Sequence, residues 1–93
     1  MTRLLLRSGS FVRRAKRILQ EYPQASRDLA SALELLAADC FHPRLKTPKL
    51  KGELDGSWAC SAGYDLRIVF NFVEYEGSEA ILLLTVETHE EVY

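Results

Sequence analysis

The sequence has few of the residues and patterns on which the common enzyme classes depend. It contains two cysteines, Cys40 and Cys60, without a Cys-x-x-Cys pair or a Cys/His cluster at metal-ligand spacing. A Gly-rich phosphate loop and a Ser elbow motif are also missing. These absences argue against nucleotide-dependent enzymes and structural metal sites. We therefore expect no metal and no small-molecule cofactor, and we expect both thiols to be small buried or half-buried groups.

Long apolar stretches are missing as well. No run approaches the length of a membrane span, and the start Met-Thr-Arg lacks the order of a signal peptide. The 93 residues suffice for one core of two layers. We expect one domain over residues 1–93, located in the cytoplasm and without a membrane partner.

The net charge of −1 conceals a strong asymmetry between the two halves of the chain. Residues 1–51 carry eleven Lys/Arg and four Asp/Glu, whereas residues 52–93 carry one Arg and nine Asp/Glu. An excess of this size indicates a polyanionic partner for the basic half. Alternatively, the two halves interleave in space and neutralise each other.

Apolar spacing predicts the secondary structure. Phe11, Ala15, Ile18 and Leu19 form one helical stripe, Pro23 ends that helix, and Ser8 or Ser10 can cap its start. The pattern predicts strands near 3–7, 58–62, 65–72 and 80–86, helices near 11–22 and 24–38, and a basic loop over 41–56 pinned by Leu45, Leu50 and Leu54. The fold class is therefore α+β in the order β-α-α-β-β-β. We expect an antiparallel sheet with a helical hairpin on one face and the other face open.

The segment Asp65–Phe72 carries the most informative pattern. Alternation places four apolar residues on one face of a strand and Asp65, Arg67 and Asn71 on the other. A guanidinium can hold a phosphate with two hydrogen bonds. Asp65 and Arg67 are thus either part of a site or a surface ion pair of little energetic value.

Two further groups are candidates for function. His89 can exchange a proton near neutral pH, although an exposed histidine near the chain end is the alternative. Tyr93 at the chain end is hard to explain as core, and it could stack on a base. The basic loop suits a nucleic-acid backbone, because phosphate contacts supply affinity rather than sequence choice. Its cations are Arg44, Lys46, Lys49 and Lys51.

Three segments together resemble a known family: 48–52 (Pro-Lys-Leu-Lys-Gly), 58–70 (Trp-Ala-Cys-Ser-Ala-Gly-Tyr-Asp-Leu-Arg-Ile-Val-Phe) and 88–93 (Thr-His-Glu-Glu-Val-Tyr). In order and spacing they are similar to toxins of type II toxin-antitoxin systems, in the RelE/StbE or YafQ-like branch of the RelE/ParE superfamily. The resemblance implies a ribosome-dependent endoribonuclease that cleaves mRNA without a metal, by attack of the ribose 2′-OH on the adjacent phosphate. It also implies a cognate antitoxin that neutralises the toxin.

The resemblance assigns roles to individual residues. His89 matches the family's acid/base histidine, Arg67 the arginine that contacts phosphate, and Tyr93 the aromatic that orients the substrate. Asp65 matches an aspartate of the YafQ-like branch, as base or as orienter of His89. YafQ-like members often carry a histidine where this chain has Pro48 and another near the position of Gly63. Either Asp65 or a lysine therefore takes the role of the general base, or the activity is weak.

Two other functions remain compatible with the sequence. One is a ParE-like inhibitor of DNA gyrase that cuts nothing, and the other is an inactive homologue that only binds an antitoxin. An enzyme requires His89, Asp65 and Arg67 to converge on the open face of the sheet, whereas a gyrase inhibitor does not. The basic loop and the terminal aromatic favour RNA.

Overall fold

The computed structural model describes residues 2–45, 57–63 and 66–88. The order of its elements confirms the predicted β-α-α-β-β-β chain, with one short 3-10 turn at Pro43–Leu45. The elements are β1 (Leu5–Arg7), α1 (Gly9–Glu21), α2 (Ala25–Ala38), β2 (Trp58–Ala62), β3 (Leu66–Tyr75) and β4 (Ser78–Thr88).

The four strands form one sheet in the order β1-β4-β3-β2. The central position of β4 agrees with the apolar character of residues 80–86 on both sides. The pairs β2–β3 and β3–β4 are antiparallel, as predicted, but β1 runs parallel to β4 with Leu5 opposite Ile81. The sheet is therefore mixed. Two helices and two strands separate β1 from β4, and a connection of that length can return the chain in either direction.

The core lies between the helices and one face of the sheet. Leu66, Ile68 and Phe70 of β3 point into it, as their alternation predicts, together with Phe11 of α1 and Leu36 of α2. Two helices on one sheet face therefore confirm the predicted layers. The 3-10 turn is held by Leu45, which is buried as expected, while Leu50 and Leu54 lie outside the described residues.

Ser8 is the cap of α1, and it also fixes this helix to the sheet. Its hydroxyl accepts a hydrogen bond from the Phe11 amide at 3.0 Å and donates one to the Leu84 carbonyl at 2.9 Å. Its own backbone amide donates to the Leu83 carbonyl at 3.0 Å. The start of α1 is therefore bound to the middle of β4, just beyond the point where β1 ends.

The β3–β4 hairpin turns at Glu76 and Gly77. Both residues have positive φ angles, 51° and 81°, which is typical of the two-residue type I′ turn. The sequence indicates a hairpin here, because the polar segment 74–78 with its one glycine separates two apolar runs. No helix among the described residues is long and apolar enough to cross a membrane.

The two thiols, Cys40 and Cys60, are free and buried, as expected. Burial raises the pKa of the Cys60 thiol to about 12 from an ordinary value of 9.0. The folded state thus keeps its proton between pH 9 and 12, where the unfolded chain loses it. We expect the free energy of unfolding to be unaffected by Cys60 below pH 9 and to fall above it by up to about 1.4 kcal/mol per pH unit.

Urea unfolding at pH 8, 9 and 10 checks this expectation, with Cys60→Ala as the matched variant. The variant should lose less stability than the wild type between pH 9 and 10, since it has no thiol to ionise. Parallel curves for both chains would contradict it.

Candidate functional site

A β-bulge in β4 determines which residues meet on the second face of the sheet, the face away from the helices. Phe70 pairs with Leu83, but Val69 pairs with Thr85, so Leu84 has no partner on β3. Beyond the bulge, Arg67 stands opposite Glu87. On its other side, Arg67 stands opposite Ser61 of β2. Polar residues of three neighbouring strands therefore form one row across this face.

Glu87, a member of this row, is bound by two described side chains. The Arg14 guanidinium donates to its Oε2 at 2.7 Å, and the Thr85 hydroxyl donates to its Oε1 at 3.0 Å. Both members of the ion pair are about three-quarters buried, so this pair is more strongly coupled than a fully exposed one. We call Arg14, Arg67, Thr85 and Glu87 the Glu87 cluster. Among the described residues, the cluster holds two guanidiniums and one carboxylate.

The second face also holds a buried acceptor. Asn71 lies on it four residues beyond Arg67, and its side-chain Oδ1 is buried without a hydrogen-bond partner among the described residues. Such acceptors are rare in folded proteins. The sequence predicts that this face is open, but part of it is covered. Ala59 and Val69, which pair across β2 and β3, are buried there.

The structure places Arg67 on the predicted face of β3. The other predicted catalytic residues, Asp65, His89 and Tyr93, lie outside the described residues. In sequence, Asp65 immediately precedes Leu66 and His89 immediately follows Thr88, and Leu66 and Thr88 are paired on β3 and β4. The Glu87 cluster lies at this edge of the sheet. The convergence of Asp65, His89 and Arg67 stays a prediction.

Arg44 is the described member of the predicted basic loop, and Lys46, Lys49 and Lys51 lie outside the described residues. Its amide donates a hydrogen bond to the His42 Nδ1 at 3.1 Å. Arg44 lines an open groove of ≈ 510 Å³. Arg27, Asp28, Ser61 and Gly63 are among the other residues of its wall.

Sequence reasoning missed three of the four residues of the Glu87 cluster, namely Arg14, Thr85 and Glu87. The apolar stripe of α1 leaves Arg14 among the cations on the remaining surface of the helix, but the structure pairs it with Glu87. Its position three residues after buried Phe11, at the margin of the apolar stripe, is the signal that could have found it. Glu87 carried no comparable signal, because its place opposite Arg67 depends on the bulge.

Comparison with solved structures finds the same fold in several bacterial toxins. YafQ of E. coli matches with a TM-score of 0.76 and 15% identity, covering 98% of both chains. A copper-bound L66S mutant toxin of Helicobacter pylori matches over 100% of both chains, with a TM-score of 0.74 and 21% identity. A YoeB/ParE toxin of Agrobacterium tumefaciens matches at 0.72 and 15%, covering 92% of this chain and 98% of its own.

A second solved structure, the E. coli DinJ-YafQ toxin-antitoxin complex, also contains a chain similar to this one. That match has a TM-score of 0.75 and 16% identity, and covers 100% of this chain and 99% of the other. No family model matches the sequence, and no curated protein matches it. At these identities the likeness shows the fold.

Proposed function

We propose that this chain, whose fold is that of RelE-like toxins, is the toxin of a type II toxin-antitoxin system and cleaves mRNA on the ribosome. The observation that carries the proposal is the Glu87 cluster. Among the described residues it combines Arg67 with a second guanidinium, that of Arg14, and one carboxylate, that of Glu87. Asp65 and His89 adjoin the same end of the β3–β4 pair in sequence.

The proposed reaction is attack of a ribose 2′-OH on the adjacent phosphorus. The 2′-oxygen forms a bond to phosphorus as the bond to the 5′-oxygen breaks. Asp65 or a lysine removes the 2′ proton, and His89 donates a proton to the departing 5′-oxygen. Arg67 donates two hydrogen bonds to the phosphoryl oxygens, whose negative charge increases in the transition state. Tyr93 orients the substrate by stacking on a base.

Glu87 and Arg14 set the electrostatics around Arg67. A carboxylate opposite Arg67 attracts its guanidinium and competes with a phosphate. Arg14 and Thr85 engage both oxygens of that carboxylate, which weakens its pull on Arg67. We assign to Arg14 a positioning role: it compensates Glu87 so that the cluster keeps a net affinity for an anion.

The RNA strand on either side of the scissile phosphate needs further cations. Arg44 and Arg27 line the groove that adjoins Ser61, the residue paired with Arg67. With Lys46, Lys49 and Lys51 they supply a basic surface for the phosphate backbone. The partners in this proposal are the ribosome that presents the mRNA and a cognate antitoxin. The similar chain in the DinJ-YafQ toxin-antitoxin complex supports the antitoxin.

Induced expression in growing cells tests the proposal. We expect the wild type to arrest growth and to create new mRNA 5′ ends in primer extension, and coexpression of the neighbouring reading frame, as antitoxin, to restore growth. His89→Ala should remove the new 5′ ends, since a general acid contributes about 10²–10⁴-fold to the rate.

Two results would contradict the nuclease. Growth arrest with intact mRNA would favour inhibition of DNA gyrase over the nuclease activity, and a supercoiling assay would then detect that inhibition. Absence of arrest, with an antitoxin that still binds, would identify an inactive homologue.

A further inference from the structure

The far end of the β3–β4 hairpin carries a surface that the proposed nuclease does not use. Phe41, Trp58 and Phe72 contact one another there, with ring centroids 5.3, 5.5 and 6.0 Å apart. Trp58 and Phe72 also pack against the core, but Phe41 is 55% exposed. An aromatic side chain fixed by two ring contacts and still open to solvent is a suitable apolar anchor for a protein partner.

Two carboxylates flank this aromatic group. Glu74 and Glu79 are register partners on β3 and β4, so like charges stand directly opposite each other. Arg3 pairs with Glu79 at 2.8 Å and lies over the Phe72 ring at 5.8 Å. Glu74 has no ion-pair or hydrogen-bond partner among the described residues. An open concavity of ≈ 390 Å³ lies beside the two carboxylates, lined by Phe72, Glu74 and Glu79 among others.

We define the hairpin surface as Phe41, Phe72, Glu74 and Glu79. We infer that this surface binds a basic segment of the antitoxin. An arginine or lysine of that segment enters between Glu74 and Glu79, and a neighbouring apolar side chain covers Phe41. The inference deepens the proposed function and rests on it. Arg3 already displays this chemistry within the chain, since its guanidinium contacts a carboxylate and an aromatic ring together.

Charge decides the class of partner. Facing carboxylates repel the phosphates of RNA, and Arg3, the cation paired there among the described residues, does not neutralise both of them. A cationic peptide gains from both carboxylates and from the aromatic faces beside them. Arg67 and Glu74 are seven residues apart on one strand, or about 23 Å. The hairpin surface and the Glu87 cluster are therefore separate binding regions of one sheet.

The test measures the dissociation constant of the purified toxin for the antitoxin identified by growth rescue. We expect Glu74→Lys to raise this constant at least tenfold and Phe41→Ser about fivefold. Glu21→Lys, an equal charge change on exposed α1, should stay within twofold. The lysine introduced by Glu74→Lys would stand opposite Glu79, a favourable pair, so loss of binding would not reflect unfolding. Replacing one arginine or lysine of the antitoxin with glutamate should restore binding to the Glu74→Lys chain.

The outcomes separate this inference from the proposed function. Suppose that the wild type arrests growth and binds the antitoxin, but Glu74→Lys and Glu21→Lys have equal dissociation constants for it. This result would overturn the inference about the hairpin surface and leave the proposed function intact. A change in mRNA cleavage by Glu74→Lys, with unchanged antitoxin affinity, would overturn it in favour of RNA binding. A wild type that neither arrests growth nor binds the neighbouring gene product would overturn the proposed function itself.

Discussion

Replacing Arg67 with alanine should reduce mRNA cleavage about 10²–10³-fold and abolish growth arrest, while the chain remains folded. Arg67 lies on the sheet face away from the core, so its truncation creates no core cavity. The loss arises because the transition state carries more negative charge on the phosphoryl oxygens than the ground state does. Single-turnover cleavage of a ribosome-bound message measures the rate, and circular dichroism checks the fold.

Arg67→Lys and Arg17→Ala are the matched controls for this prediction. Lysine keeps the charge but not the two-pronged hydrogen bonding, so its rate should fall between those of wild type and alanine. Arg17 is an exposed cation of α1, and its loss should leave cleavage within twofold. Equal cleavage by Arg67→Ala and Arg17→Ala would exclude Arg67 from the site.

The parts of the fold that could be predicted from the sequence depend on local signals. The apolar alternation of β3 depends on residues two apart, the stripe of α1 on residues three and four apart, and the Glu76-Gly77 turn on two adjacent residues. All three are confirmed. The direction of β1 has no such signal, because a three-residue apolar run pairs equally well in either direction. Only its pairing with β4, some 76 residues away, determines it.

The site depends more heavily on distant pairing. If the hairpin register at the Glu76-Gly77 turn continued unchanged, Arg67 would face Val86, a core residue, and Glu87 would fall outside the row. The extra residue at Leu84 shifts the register by one and brings Glu87 opposite Arg67. Ser8 fixes that bulge through the Leu84 carbonyl and places α1 so that Arg14 reaches Glu87. The position of Arg14 thus depends on a serine and a bulge that no single motif encodes.

Gly63→Ala should cost the fold about 3 kcal/mol and lower the melting temperature by about 12–24 °C. Two effects combine at this position. Gly63 has a φ of 68°, which costs an alanine about 1–2 kcal/mol. A methyl group there would also overlap the Asp28 side chain, including its Cβ at 2.8 Å, so α2 and the end of β2 would have to separate. Differential scanning calorimetry measures both quantities.

Gly77→Ala isolates the first of these two effects. Gly77 has a similar φ of 81°, but a methyl group there would meet nothing within 4 Å. We expect it to cost about 1 kcal/mol, which is the conformational cost alone. Adding Asp28→Ala to the Gly63→Ala chain should recover part of the difference in stability loss between the two glycine variants. It removes the carboxyl group of Asp28 but keeps its Cβ. Equal losses for the two glycine variants would show that α2 yields freely at Asp28. The position of Gly63 would then be fixed by its backbone conformation rather than by packing against α2.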